Sequence, residues 1–464
     1  MQSETLIANP LATQPVRKLI WKFAIPGIIS QLVNSIHNIV DQMFIGWGIG
    51  ELGIAATNIV FPLSAVITAL SALIGMGAAA RFSIYLGKNE KENASNVFGN
   101  ALTLMLFFGI LIGAVTSVFL EPMLYLFGAT EAMMPLTKAY ARIICLGIPF
   151  GIFATGMSYF IRADGNPNYS SFVLLSGAVF NIVFDPIFLY VFNMGISGVA
   201  LATMLGQLLS ASLAFVYLLK NIKSVSLIKS DFKIQTSIVI QIFSLGSATF
   251  TTHILAICAQ IIQMNALKSY GALSVYGSEV VIAGSGAISK LAMFFLSSVI
   301  GIAIGCQPIL GFNLGSKNYH RVKETYLLAL RYGSTIAAAA YILLQLFPNQ
   351  LLSLFGSDNP LFYEFSITYI RIYMAVLFLN ALQPITSTFC TAIGKANLGF
   401  WMAVIRQGLL MIPLLLILPN IFGLYGVLLS GPISDGIASI IVLIIGYRQI
   451  KYLENMQKNI EKGI

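Results

Sequence analysis

The sequence predicts an all-α polytopic membrane protein, with twelve transmembrane helices in two pseudo-symmetric, parallel six-helix lobes around a central cavity. Three observations lead there. The 464 residues are 57% hydrophobic and 9% charged, with a mean hydropathy of +0.85, whereas soluble domains carry roughly 25% charged residues. The apolar residues fall into twelve runs of about 20–30 residues, long enough to cross a bilayer as helices and far longer than the roughly ten residues of a barrel strand. The second half also repeats short motifs of the first at one offset.

In order, the runs cover 17–45, 52–80, 97–120, 133–161, 168–193, 197–219, 235–267, 274–303, 322–347, 361–389, 398–420 and 424–447. Lysine and arginine collect in alternate connections. Arg17 and Lys18 precede the first run; Arg81, Lys88 and Lys91 follow the second, and Arg162 the fourth. Lys220, Lys223, Lys229 and Lys233 follow the sixth, Lys317, Arg321 and Lys323 the eighth, and Lys395 the tenth. Arg448, Lys451, Lys458 and Lys462 follow the twelfth. The intervening connections hold Glu51, Glu121, Glu131 and Asp358, with Lys268 the main exception. By the positive-inside rule both termini face the cytoplasm of a cell with this protein in its inner membrane.

The formal charge of +9 therefore reads as anchoring to an anionic membrane face rather than as a nucleic-acid surface. Residues Met1 to Gln14 are polar and carry no cleavable signal. Cys145, Cys258, Cys306 and Cys390 lie in apolar runs without paired spacing and read as small core residues.

The repeat organises the chain. At an offset of about 228 residues, Leu86-Gly87-Lys88-Asn89 matches Leu314-Gly315-Ser316-Lys317, and Leu126-Phe127-Gly128 matches Leu354-Phe355-Gly356. Tyr140, Arg142 and Ile143 match Tyr369, Arg371 and Ile372; Gly195, Gly198 and Val199 match Gly423, Gly426 and Val427. Six helices per half is an even number, so both halves enter from one side and the repeats are parallel, with a cavity expected at their interface. The expected divisions are a cytoplasmic N-terminal segment (1–16), an N-lobe (17–219), a cytoplasmic linker (220–234), a C-lobe (235–447) and a cytoplasmic C-terminal tail (448–464).

Enzymatic motifs fail on context. Gly48, Gly50 and Gly53 fit G-x-G-x-x-G, but they sit between two apolar runs with no preceding strand, so a tight external turn explains them. No G-x-x-x-x-G-K-[ST] phosphate loop occurs, and His37, His253 and His320 are scattered. Neither an ATPase of that type nor a metalloenzyme is expected, and no cofactor is implied.

The informative residues are ionisable groups at membrane depth. Between Lys22 and Glu51, Asp41 is the sole acid or base apart from His37; between Asp164 and Lys220, Asp185 is the sole one. Charges there are costly and commonly mark ion or substrate paths, the bland alternative being a helix-end acid reaching the surface. Asn34, His37, Asn38 and Asp41 are spaced by three and four, which places them on one helical face. Asn181 and Asp185 share a face on the fifth run, where Pro186 frees the carbonyl of Ile182. Thr203, Gln207 and Ser210 stripe the sixth, where interhelical hydrogen bonding is the competing reading. Carboxylate, amide and hydroxyl oxygens suit a hard cation, and a desolvated carboxylate pair holds a proton readily. Asn34, His37, Asn38 and Gln207 are candidates for a substrate cavity. In the second half, Asp435 lies mid-run with Lys290 and Arg406 as candidate partners for a structural ion pair. His253, Gln260 and Gln263 line either a cavity or a helix contact.

Two six-helix halves, with Asp41 late in the first helix and Asn181-x-x-x-Asp185-Pro186 in the fifth, resemble the multidrug and toxic compound extrusion (MATE) transporters over nearly the whole chain. The quartet Asp41, Asn181, Asp185 and Thr203 resembles the N-lobe cation site of the DinF-like branch, which implies coupling to H+ or Na+, with Na+ at those four residues. The acids that the NorM-like branch places in the seventh and tenth helices have no counterpart here beyond Glu364 near an outer end. The resemblance implies a secondary antiporter, active as a monomer in lipid, that exports amphipathic, often cationic small molecules by alternating access. The alternatives are a flippase of the same superfamily for lipid-linked oligosaccharides, which would use Lys290 and Arg406, and a channel or receptor, for which no pore repeat is present.

Overall fold

The structure, a computed structural model, describes residues 10–461 except 128, 130, 132, 221, 223, 226, 227 and 354–358. The repeat match at Gly128 and Leu354-Phe355-Gly356 lies outside the described residues, as do Lys223, Asp358 and Lys462. The spanning helices are α1 (Val16–Gly48), α2 (Ala56–Gly87), α3 (Lys91–Val118), α4 (Met134–Ala163), α5 (Pro167–Val191) and α6 (Gly195–Lys220). The second half holds α7 (Thr236–Ala272), α8 (Val280–Gly315), α9 (Tyr319–Leu346), α10 (Pro360–Tyr373 with Leu377–Ala392), α11 (Ala396–Phe422) and α12 (Leu424–Asn459). No strand occurs among the described residues. All-helical spans leave no backbone polar group facing lipid without a partner.

Three expectations change. The tenth span is two helices bent by 48° at Met374–Val376 rather than one. No proline or glycine stands at that break; a 3-10 turn at Leu377–Leu379 follows it, so packing rather than local sequence sets it. Residues 448–461 are no separate tail: the last helix runs unbroken to Glu461, and its Glu454 meets Lys323 at 2.5 Å. Residues of the linker pack onto the first half. Asp231 is buried, and Asn100 of α3 donates to the carbonyls of Asp231 and Lys233 while accepting from the amide of Gln235. Cys258 is exposed, whereas the other three cysteines are buried. The Gly48–Gly53 segment turns as expected, with Gly50 at φ +85°, a conformation that favours glycine.

Each half has its own apolar core, and the two cores exchange their first helical turns. Leu19, Ile20, Phe23 and Ala24 of α1 pack into the second-half core with Val299, Ile302 and Ala303. Reciprocally, Ile238 and Ile242 of α7 pack into the first-half core. The residues before α1 follow the same route: Leu11 is buried in the second-half core, and Arg321 donates to the carbonyls of Leu11 and Gln14.

All these contacts lie at the end of the bundle that holds both termini, where backbones approach closely. A Cβ on Gly246 would stand 1.8 Å from the Leu73 carbonyl oxygen, and one on Gly87 2.0 Å from that of Phe312. Ser35 and Ser297 join α1 to α8 at 2.8 Å. The same face of α8 continues as exposed Phe294, Lys290 and Ala283, and α1 as exposed Asn34 and Asn38. Exposed residues thus flank the α1–α8 seam beyond the Ser35–Ser297 bond.

If these glycine contacts hold that end shut, Gly246→Val should lower stability by about 1–3 kcal/mol through overpacking, read as a fall in thermal unfolding temperature in detergent. Gly286→Ala, whose Cβ meets open space, should change little. Equal effects from both substitutions would show that the contact is not tight.

Candidate functional site

Four helices of the first half bring side chains to one buried pocket. The α1 turn carrying His37 and Asp41 packs against α5, and α5 packs against α6. Because Asn181 and Asp185 are one turn apart, both point toward α1 and are buried, Asp185 completely. A π-helical turn at Ile187–Val191 follows Pro186, a local widening often found at functional sites.

Asn181 is the hub. Its Nδ2 donates to Thr203 Oγ1 at 2.9 Å, and its Oδ1 accepts from His37 Nε2. Thr203 in turn donates to the carbonyl of Val199 at 3.1 Å. The amide is thereby fixed in one orientation, with its oxygen toward α1. The carboxyl groups of Asp41 and Asp185 lie within hydrogen-bonding reach of each other. Beyond that mutual contact, both oxygens of Asp185 and Oδ1 of Asp41 are buried with no hydrogen-bond donor among the described residues, and so is Nδ1 of His37.

Buried polar atoms nearly always find partners. Three acceptor oxygens without donors, on two adjoining acids, therefore call for a cation or a proton between them. The residues fit either. A proton shared by the carboxyls needs no rearrangement. A hard cation would take the same carboxylate oxygens and the second lone pair of Asn181 Oδ1. Thr203 Oγ1 already accepts from the amide.

The sequence missed Tyr140 of α4. It is buried, lies beside Asp41 and Asp185, and is in hydrogen-bonding reach of Thr203. Its only signal was membership of the repeated Tyr-x-Arg-Ile motif; a buried phenol needs a polar partner, which the sequence alone did not identify. The cavity candidates separate. Asn34 and Asn38 are exposed on α1, joined by a bond from Asn38 Nδ2 to the Asn34 carbonyl at 2.8 Å. His37 belongs to the acid pocket instead. Gln207 is packed against Gly147 and Gly151 of α4, with its Oε1 buried and unpartnered. Ser210 donates to the Val173 carbonyl at 2.8 Å, an interhelical bond of the bland kind.

The second half has a different centre. Arg406 Nε donates to Asp435 Oδ1 at 2.7 Å and its Nη1 to Gln383 Oε1 at 2.7 Å. Of the two candidate partners for Asp435, Arg406 is the one in place, held in a π-helical stretch, Val404–Met411. Tyr369, the repeat partner of Tyr140, accepts from Gln263 at 3.1 Å. Gln260, Gln263, Tyr373, Arg406 and Asp435 line a polar cavity of about 110 Å³, too small for a drug-sized ligand, whose pockets run to about 300–1,000 Å³. Among the described residues no three His, Cys, Asp or Glu side chains form a metal cluster.

The MatE family model matches residues 26–187 and 254–417, one match in each half. The chain belongs to the MATE family. The multidrug export protein MepA of Staphylococcus aureus is 26% identical over 433 residues, covering 93% of this chain and 94% of MepA. MepA of Staphylococcus saprophyticus is 25% identical over 432 residues, with the same coverage of both chains. Among solved structures, an outward-facing multidrug resistance MATE family transporter of the MOP superfamily superposes with a TM-score of 0.89 at 24% identity, covering 96% of this chain and 98% of that one. A MOP superfamily transporter from Pyrococcus furiosus gives 0.88 at 24% identity, with the same coverage. These likenesses establish the MATE fold: an all-helical, multi-pass membrane transporter.

In this MATE chain the Arg406–Asp435 pair accounts for the second half's deep acid. Arg406→Met should strand a buried carboxylate and cost about 3–5 kcal/mol. Arg406→Met combined with Asp435→Leu should recover most of that loss in a detergent thermal-unfolding assay. A double variant as unstable as the single one would show that the pair is not a self-contained unit.

Proposed function

We propose that this chain is a secondary active antiporter that exports amphipathic, often cationic organic molecules in exchange for H+ or Na+, with Asp41, Asn181, Asp185 and Thr203 as the coupling site. The observation that carries the reading is the adjoining Asp41 and Asp185 carboxyls, buried with three acceptor oxygens that no donor satisfies. Two negative charges there do not coexist without a proton or a cation. Loading and emptying the site changes the attraction between α1 and the α5–α6 pair. Because α1 also belongs to the other half's core, that change is felt at the interface between halves. The acidic pocket would draw an organic cation toward the same side, so coupling ion and drug compete. The MepA proteins of similar length, named as multidrug exporters, support this substrate class. The absence of acids on α7 supports the DinF-like placement of the site in the first half.

The two sequence halves, 17–219 and 235–447, would act as the rocking bodies of alternating access, with both termini cytoplasmic and with a cleft between the halves, open outward in this conformation, flanked by the exposed residues of α1 and α8. The flippase reading draws on basic residues at depth. Its support narrows here, since Arg406 is neutralised by Asp435.

Single cysteines at Lys229 and Lys317 should react only with permeant reagents in intact cells; labelling by an impermeant reagent would reverse the orientation. Asp41→Asn and Asp185→Asn should each leave a folded protein in which ethidium efflux loses at least tenfold of its dependence on the ion gradient. The double variant should be scarcely worse than either single one, since the two acids act as one unit. Asn181→Ala, Thr203→Ala and Tyr140→Phe should weaken coupling less. Collapsing the pH and sodium gradients separately identifies the ion. Gradient-dependent efflux at the original level in both aspartate variants would remove the site, and uptake of labelled lipid-linked sugar without dye efflux would favour the flippase.

A further inference from the structure

The surface of α8 beside α1 carries a charge that the coupling site does not use. On the α1 side, exposed Asn34 and Asn38 stand beside the helical face that carries Asp41. On the α8 side stands Lys290. It shares a helical face with Ser297, which is bonded to Ser35, and with Gly301, whose Cβ position meets the backbone of Ile28. That face is therefore aimed at α1. One to two turns beyond the Ser35–Ser297 bond it becomes exposed, at Phe294 and Lys290. Among the described residues Lys290 has no ion pair and no hydrogen bond, while Arg406, the other deep cation of the second half, is paired with Asp435. Lysine at membrane depth without a partner is costly, and here it stands exposed on the α8 face turned toward α1, the helix that carries Asp41.

We propose that Lys290 is a substrate-contacting specificity residue that takes the carboxylate of amphoteric substrates, while their cationic portion faces the α1 wall. This rests on the export reading above and narrows its substrate class. A lone ammonium in a partly dehydrated cleft attracts an anion and repels a second cation. Phe294 beside it, exposed on the same face, supplies apolar area for an aromatic ring next to the carboxylate. A substrate that carries both charges satisfies both walls, whereas a plain cation gains from one wall and loses at the other.

The test uses two dyes that differ only at the carboxylate: rhodamine 110, which bears the free acid, and rhodamine 123, its methyl ester. Efflux of both is followed from vesicles carrying the full-length protein, with an imposed gradient. Lys290→Gln should lower rhodamine 110 transport at least tenfold, an effect of about 1.4 kcal/mol, and leave rhodamine 123 unchanged or faster. Lys290→Arg should restore the acid dye. Equal loss of both dyes, with no rescue by arginine, would make Lys290 structural and overturn the proposal, as would no loss of either. A Lys290→Gln effect seen only in vesicles containing phosphatidylglycerol would assign the lysine to a lipid headgroup and overturn it too. If the unsubstituted protein moves neither dye, the export reading itself falls, and this inference with it; rhodamine 123 export without a Lys290 effect removes this inference alone.

Discussion

A carboxylate taken out of water without a partner is among the most expensive things a helix bundle can contain, and the first half of this protein holds two of them side by side. The surroundings follow from that expense. Asn181 is locked between His37 and Thr203, so its amide is held in one orientation. Tyr140 closes the pocket from α4, and Pro186 ends the regular helix immediately after Asp185. None of these groups donates to the carboxylates and neutralises them permanently. The pocket remains short of positive charge.

The second half solves the same problem in the opposite way. Its deep acid, Asp435, is given a guanidinium, and the guanidinium is further held by Gln383. Such a pair stabilises little in net terms, because desolvation offsets the attraction, but it fixes α11 against α12. The repeat thus supplies two related scaffolds with different chemistry: an acid centre without a cation in one, a paired one in the other. Tyr140 and Tyr369, at matching positions, serve each half's polar centre.

Much of this was legible in the sequence because the bilayer imposes lengths. The twelve spans and the alternation of basic loops follow from hydropathy and charge, and the isolated acids announce themselves by the cost of their position. What the sequence hid is tertiary. Asp435 had two cations within plausible reach, and only packing selects Arg406 over Lys290. The bend in α10 occurs at Met374–Val376, where no residue is a helix breaker. The overrun of α12 to Glu461 depends on contacts with α9 rather than on hydrophobicity. Gln207, polar and in register with Thr203, looked like a cavity residue but packs against glycines of α4, a contact no periodicity reveals.

The exchange of first turns between the two cores has a consequence for how the chain is made. Leu19, Ile20 and Phe23 emerge early from the ribosome, yet the residues they pack against, Val299 and Ile302 among them, follow roughly 280 residues later. At synthesis rates of about 5–20 residues per second, the start of α1 waits on the order of tens of seconds for its native neighbours. The first half cannot complete its own packing before α7 is made, because part of its core is contributed by α7. Assembly is therefore held open until the second half inserts. The two lobes reach their final form together, and the long sequence separation of these contacts places their formation late in folding.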